Sequence, residues 1–301
     1  MSIKTLKWAA ILCFTVGMAV LLGGGVAMKK DLPPYPGKVV DSGGTVLFEK
    51  ADIIAGQDVY QRFGLMDHGA VWGHGSQRGP EFSASSLNII AEAVGDYFAM
   101  ADYGKPYAQL DEMQKGIIDV KTKAEIKPNR YDAGSDTLKL TDAQIKGLGR
   151  VAQHWEKTFK DGEIRYGFLP NTVPEQEQRL QIARFFFWTA WVASTLRPGE
   201  DYSYTNNWPP DTRVGNVPST DAFFYSVAGV LALLLVLALF VYWIHRYGLW
   251  YGEAKGTALA EKRIDSSATD GFLDRHHLAG VGHLSGTDHR RQGARQAEAS
   301  G

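Results

Sequence analysis

Leu65–Ala84, LMDHGAVWGHGSQRGPEFSA, gathers Asp67, His68, His74 and Glu81 around Trp72 and glycines at 69, 73, 75 and 79. Two histidines with two carboxylates are a sufficient donor set for zinc or iron. Their spacing matches no established ligand pattern, however, and a glycine-rich loop holds ligands loosely. The glycines permit positive φ and tight turns. On that reading Trp72 fills core space and His74 bonds to backbone. The stretch is expected to be a folded structural loop, or one that packs on a neighbouring domain. No metal ligand is assigned.

Immediately upstream, Gly56, Tyr60, Gly64, Asp67 and His68 fall into the frame G-x-x-x-Y/F-x-x-x-C-x-x-C-H with which small cytochrome c domains open. Gly64 and Asp67 stand where the cysteines would be, and His68 where the iron ligand would be. The only cysteine in the chain is Cys13. That excludes thioether-bound haem, an intramolecular disulfide and a thiolate pair for zinc or an iron–sulfur cluster. The frame resembles a cytochrome c fold that has lost its haem attachment. Haem held by His68 alone would need a surrounding apolar pocket, which the sequence does not display, so no cofactor-binding residue is assigned.

Further out, two apolar segments bracket this region. Trp8–Met28 and Ala222–Ile244 carry no charged residue over 21 and 23 positions. At 1.5 Å per residue each is long enough for a hydrocarbon core of about 30 Å. Lys4 and Lys7 before the first run give it a signal-peptide alternative. The run exceeds the usual h-region of about 7–15 residues, though, and no A-x-A site follows, which favours an uncleaved anchor. Arg246, Lys255, Lys262 and Arg263 follow the second segment, whereas only Arg213 lies just before it. The positive-inside rule then places residues 29–221 outside the cytoplasm and 245–301 within it. Lysine plus arginine number 32 against 33 acidic residues, so no basic excess exists to neutralise nucleic-acid phosphates.

Between the anchors, Lys29–Lys38 (KKDLPPYPGK) reads as a Pro-rich stalk. Val39–Glu49 reads as a hairpin turning at Ser42-Gly43-Gly44. A short helix is expected over Asp58–Phe63 with Gly64 as its cap. Another should begin at Ser83, with Leu87, Ile90, Ala91, Val94, Phe98 and Ala101 on one face. Thr141 and Gln144 form a capping box for a third, facing inward with Ile145, Leu148, Ala152, Trp155 and Phe159. Its Gly147 and Gly149 weaken the helix unless they permit close packing. A fourth spans about Pro174–Thr195. Its Phe185–Ala193 (FFFWTAWVA) is apolar all round but too short for a bilayer, so it is a buried core helix or one resting on membrane or partner. Arg197-Pro198-Gly199 stops it. The aromatic loop Tyr202–Pro210 (YSYTNNWPP) leads to the second anchor and is expected at the membrane interface.

GLMDHGAVWGHGSQRGPEFSA, ARFFFWTAWVASTLRPG, DYSYTNNWPPDTRVGN and WYGEAKGTALAEK, spread over about residues 1–263, together resemble the N-terminal region of quinol-dependent nitric-oxide reductases, members of the haem–copper oxidase superfamily. Gly64, Asp67, His68, Trp72, Gly73, His74, Gly75, Asn206, Asn207, Trp208 and Pro209 are the signature positions of that resemblance, taken as structural. The resemblance implies a mainly α, membrane-anchored chain in which two transmembrane helices flank a haem-free cytochrome c-like domain outside the bacterial inner membrane. It implies an enzyme that reduces two NO to N2O with electrons from quinol. Haem b, non-haem iron and the quinol site would lie in further membrane helices, the partners of this region along with membrane lipid. After Lys262 both the resemblance and the membrane hydropathy stop. Residues 263–301, with His276, His277, His283 and His289, are expected to be a disordered tail, and an out-of-frame translation would account for the abrupt change. No catalytic residue is carried over, and His245 reads as interfacial. Two rival readings remain: a two-span sensor or docking module, against which stands the lack of heptads after the second span, and an accessory subunit docking on a separate catalytic chain.

Overall fold

The computed structural model describes residues 3–217 and 220–247. The stretch Trp250–Lys262 and the tail with its four histidines lie outside the described residues. In chain order the elements are α1 (Ile3–Lys30), β1 (Lys38–Val40), β2 (Val46–Glu49), α2 (Lys50–Arg62), β3 (Ala70–Val71), β4 (His74–Gly75), α3 (Phe82–Tyr103), α4 (Glu112–Ile126), β5 (Tyr131–Asp132), β6 (Thr137–Lys139), α5 (Asp142–Asp161), α6 (Gln176–Ser194) and α7 (Thr220–Tyr247). The chain is mainly helical. Lys7–Lys29 of α1 and Phe223–Ile244 of α7 are each long and apolar enough to cross a membrane, and neither apolar window has buried residues.

The core is built on α6. Phe185, Phe186, Phe187, Trp188, Trp191 and Val192 are all buried, and α6 packs against α2, α3 and α5, so the apolar-all-round segment is the central helix of the domain. Full burial of one such side chain contributes about 1.5–3 kcal/mol. Gly56 explains how α2 reaches α6. A Cβ added there would stand 2.1 Å from the Gln181 carbonyl oxygen and 2.7 Å from the Phe185 Cβ, so only glycine permits the crossing. One turn later the Tyr60 ring meets Phe185 and Phe186 at centroid distances of 5.8 and 5.9 Å. The G-x-x-x-Y spacing therefore encodes a helix crossing.

Local signals set the helix ends. Thr141 Oγ1 accepts from the Gln144 N–H at 3.3 Å and the Gln144 side chain accepts from the Thr141 N–H at 3.2 Å, closing the expected capping box. Gly147 is a close-approach site, its added Cβ 3.1 Å from Ile90, whereas Gly149 has open space. Several expectations need correction. Helix α2 starts at Lys50 rather than Asp58, because Glu49 and Asp52 form a capping box there. Helix α3 buries Leu87, Ile90, Ala91 and Val94 but leaves Phe98 half-buried and Ala101 exposed as it runs past the core. Helix α5 is rotated so that Ala143, Gly147, Val151, Trp155 and Phe159 are buried, with Ile145, Leu148 and Ala152 half-buried at the flank. Helix α4 was not anticipated at all; an Asp111–Gln114 capping box starts it. The hairpin β1–β2 forms as read, but β1 also pairs in parallel with β6, giving a four-stranded sheet in the order β2-β1-β6-β5.

Candidate functional site

The opening stretch is a compact turn held by its own glycines. Gly64, at φ +62°, lets the chain leave α2. Strands β3 and β4 form a hairpin whose two turn residues, Trp72 (φ +52°) and Gly73 (φ +78°), both take left-handed backbone, as a two-residue hairpin turn requires. A bulky residue there costs on the order of 1–2 kcal/mol, and Trp72 is held in place by several contacts. Its indole N–H donates to the Thr189 carbonyl at 2.9 Å, and its backbone N–H donates to Ser83 Oγ at 2.9 Å. Its ring lies 5.5 Å from that of Trp188. Gly75 is needed because a Cβ there would stand 2.3 Å from the Gly69 carbonyl.

Of the four candidate metal donors, Glu81 and His74 are engaged in hydrogen bonds within the turn. Glu81 caps α3 by accepting the Ala84 N–H, and its Oε1 accepts from Ser83 Oγ at 2.7 Å and from the Gly73 N–H at 3.3 Å. His74 is exposed, with Nδ1 3.1 Å from the Trp72 carbonyl oxygen. Asp67 is exposed, and His68 is half-buried against the Phe168 ring at 5.4 Å. Among the described residues no three His, Cys, Asp or Glu side chains come together as a metal site.

The residues beside His68 do not fit a haem. Phe168, which its ring meets, belongs to a set with Phe82, Trp155, Phe159 and Phe186, none more than 1% exposed. Phe82 and Phe186 stack at 4.5 Å, Trp155 lies 5.1 Å from Phe186, and Phe159 lies 5.3 Å from Phe168. The space on that side of the frame is filled with protein rings.

The second signature, Tyr202–Pro210, is organised by a buried lysine that the sequence did not reveal. Asn206 and Asn207 sit at φ +55° and +59°. Asn207 Oδ1 accepts from Lys127 Nζ at 3.2 Å and from the Ser203 N–H at 3.1 Å, while its Nδ2 donates to the Val217 carbonyl at 3.3 Å. Lys127 Nζ also donates to Asn216 Oδ1 at 2.6 Å. Asn216 Nδ2 reaches the Ala193 and Pro209 carbonyls at 2.8 and 3.0 Å. This network ties the end of α4, the end of α6 and the loop before α7. Burial pushes the Lys127 amine down to about 8, Lys123 adding to the shift and Asp211 opposing it. A lone lysine beside a proline carries no periodic or motif signal, so only the paired asparagines pointed here.

The two signatures meet. A Cβ on Gly73 would stand 3.2 Å from Trp208 Nε1, and Trp208 remains 44% exposed. Together the two loops present an aromatic surface bearing Trp72 and Trp208.

These features define a class: a cytochrome c-like helical domain without the cysteines that attach haem, in a chain with two helices long and apolar enough to cross a membrane. The family model for the cytochrome c-like domain of the nitric oxide reductase NorB matches residues 36–210, more than half of the chain. The chain belongs to that family. No match was found among curated proteins.

Proposed function

We propose that this chain is the N-terminal part of a quinol-dependent nitric-oxide reductase and is non-catalytic by itself. The observation that carries this reading is the family match over residues 36–210, lying between α1 and α7. Both helices span the bacterial inner membrane, and the arginines and lysines after α7 put the domain on the extracytoplasmic side. Reduction of two NO to N2O belongs to the complete enzyme, whose transmembrane core supplies haem b, non-haem iron and the quinol site. The domain's part is structural. Its cytochrome c frame is filled by aromatic rings, and its signature loops are committed to backbone and side-chain bonds.

Two experiments test this. The purified chain in liposomes, given NO and a reduced quinol, is expected to consume no NO above protein-free liposomes; quinol-dependent consumption would sink the non-catalytic reading. Reading the DNA beyond codon 263 in all three frames is expected to recover further apolar spans bearing histidines. Their absence in every frame would count against membership of a longer enzyme.

A further inference from the structure

We infer that the hairpin turn Trp72–Gly75 and the Trp208 loop form one face that rests in the headgroup layer of the lipid bilayer. The inference rests on α1 and α7 spanning that bilayer and names which part of the domain meets it. The apolar window of α1 ends at Lys29. Asp31, two residues on, is within about 7 Å of chain from the hydrocarbon boundary, and it lies 3.8 Å from the Arg197 guanidinium. A headgroup layer is itself about 5–7 Å deep. Pro34, a little further along, accepts the Trp188 indole N–H at 3.0 Å, and Tyr35 stacks on Trp188 at 4.1 Å. Trp188 is the residue against which Trp72 packs.

The other chain exit is pinned to the same loops. Asn207 holds the Val217 carbonyl, and six residues of chain, at most about 20 Å, separate Val217 from the start of the second window at Phe223. Next to Asn207, Trp208 Nε1 stands 3.2 Å from where a Cβ on Gly73 would lie. Both exits thus converge on the aromatic surface where residues 72–75 and 206–209 meet. The side chains left outward there suit an interface. Leu32 and Val217 are 64% and 63% exposed and Trp208 is partly so, while the Arg197 side chain, 19% exposed, lies over the Tyr202 and Tyr204 rings. Tryptophan and tyrosine with an adjacent arginine are the residues that membrane–water boundaries favour. His74 has no chain proximity to either helix, so its place in that layer follows only from the fold.

The test uses the full chain with Cys13→Ser and single spin-labelled cysteines at His74→Cys, Val16→Cys and Met113→Cys, in phosphatidylcholine vesicles. Relaxation by a nitroxide carried on the lipid headgroup and by a water-soluble nickel chelate is read at each site. The expected result is lipid-headgroup relaxation at 74 several-fold above that at 113, with the label at 16 reached by lipid-dissolved oxygen. A label at 74 reached by the chelate as freely as 113, while 16 lies in lipid, would overturn the inference and leave the spanning reading intact. A label at 74 shielded from both agents would mean that protein covers the face, which also overturns it. A label at 16 in water would remove the spanning helix on which both rest.

Discussion

The aromatic core around α6 and the loop network around Lys127 hold the same domain together by opposite means. The core uses non-directional burial, in which Phe82, Trp155, Phe159, Phe168 and Phe186 fill space with contacts that no single hydrogen bond decides. The loops use directed bonds, in which Asn207, Asn216 and Lys127 each satisfy several partners and Trp72, Asn206 and Asn207 are held at positive φ. A core of the first kind tolerates change of shape better than loss of volume. A network of the second kind is sensitive to one atom, because an unpaired buried polar group costs about 1–3 kcal/mol.

The sharpest break in that comparison should come from Phe186→Ala, which empties the centre of the core. It is expected to lower unfolding stability by about 3–5 kcal/mol, measured by denaturant unfolding in detergent. A loss below about 1 kcal/mol would mean that the rings are loosely packed. Gly56→Val should follow, at about 1–3 kcal/mol or more from overpacking, because the new side chain meets the Gln181 carbonyl. If this variant matches wild type, the α2–α6 crossing is not as close as described.

Lys127 tests the loop side through pH. Its amine titrates near 8 in the folded chain, below its unfolded value of 10.5. Between those values the unfolded state binds the extra proton, so this group's contribution to stability rises as pH rises. Below about pH 8 the burial penalty on the charged form is fully present; above about 10.5 it is gone. That penalty is on the order of a few kcal/mol. Tyrosines whose hydroxyls are pushed up, such as Tyr60, act in the opposite sense at high pH, so the informative quantity is wild type minus Lys127→Met. That difference should climb between pH 7.5 and 10; a flat difference would show that the lysine is not desolvated. The smallest effect, about 0.5–2 kcal/mol, is expected for Glu81→Ala, which loses the α3 cap and the Gly73 bond together. Amide exchange should then rise in residues 72–75 before it rises in α3.

The same contrast decides what was legible in the sequence. The apolar run FFFWTAWVA with its Arg197-Pro198-Gly199 stop placed α6 to within about two residues, and the Thr141–Gln144 box placed the start of α5, because burial and capping are local statements. Helix α4 escaped because it buries only Ile118, Thr122 and Ile126 while Ile117 and Val120 face outward, so its apolar pattern follows no single face. The four-stranded sheet escaped because β1 and β6 are three-residue strands about 100 positions apart, and pairing at that range leaves no trace in either segment. At the site, the glycines announced positive φ, whereas the positive φ of Trp72, Asn206 and Asn207 was not read from the sequence. Which partner each would meet depended on chain geometry, and the contact of Gly73 with Trp208 or of Asn207 with Lys127 lay beyond any spacing rule.

The most direct test of the account is the absorbance spectrum of the chain purified from cells supplied with haem, compared with His68→Ala. No Soret band is expected in either, because protein rings occupy the space beside His68. A stoichiometric Soret band that His68→Ala removes would contradict it, since haem could enter only if the Phe82–Phe186 core gave way.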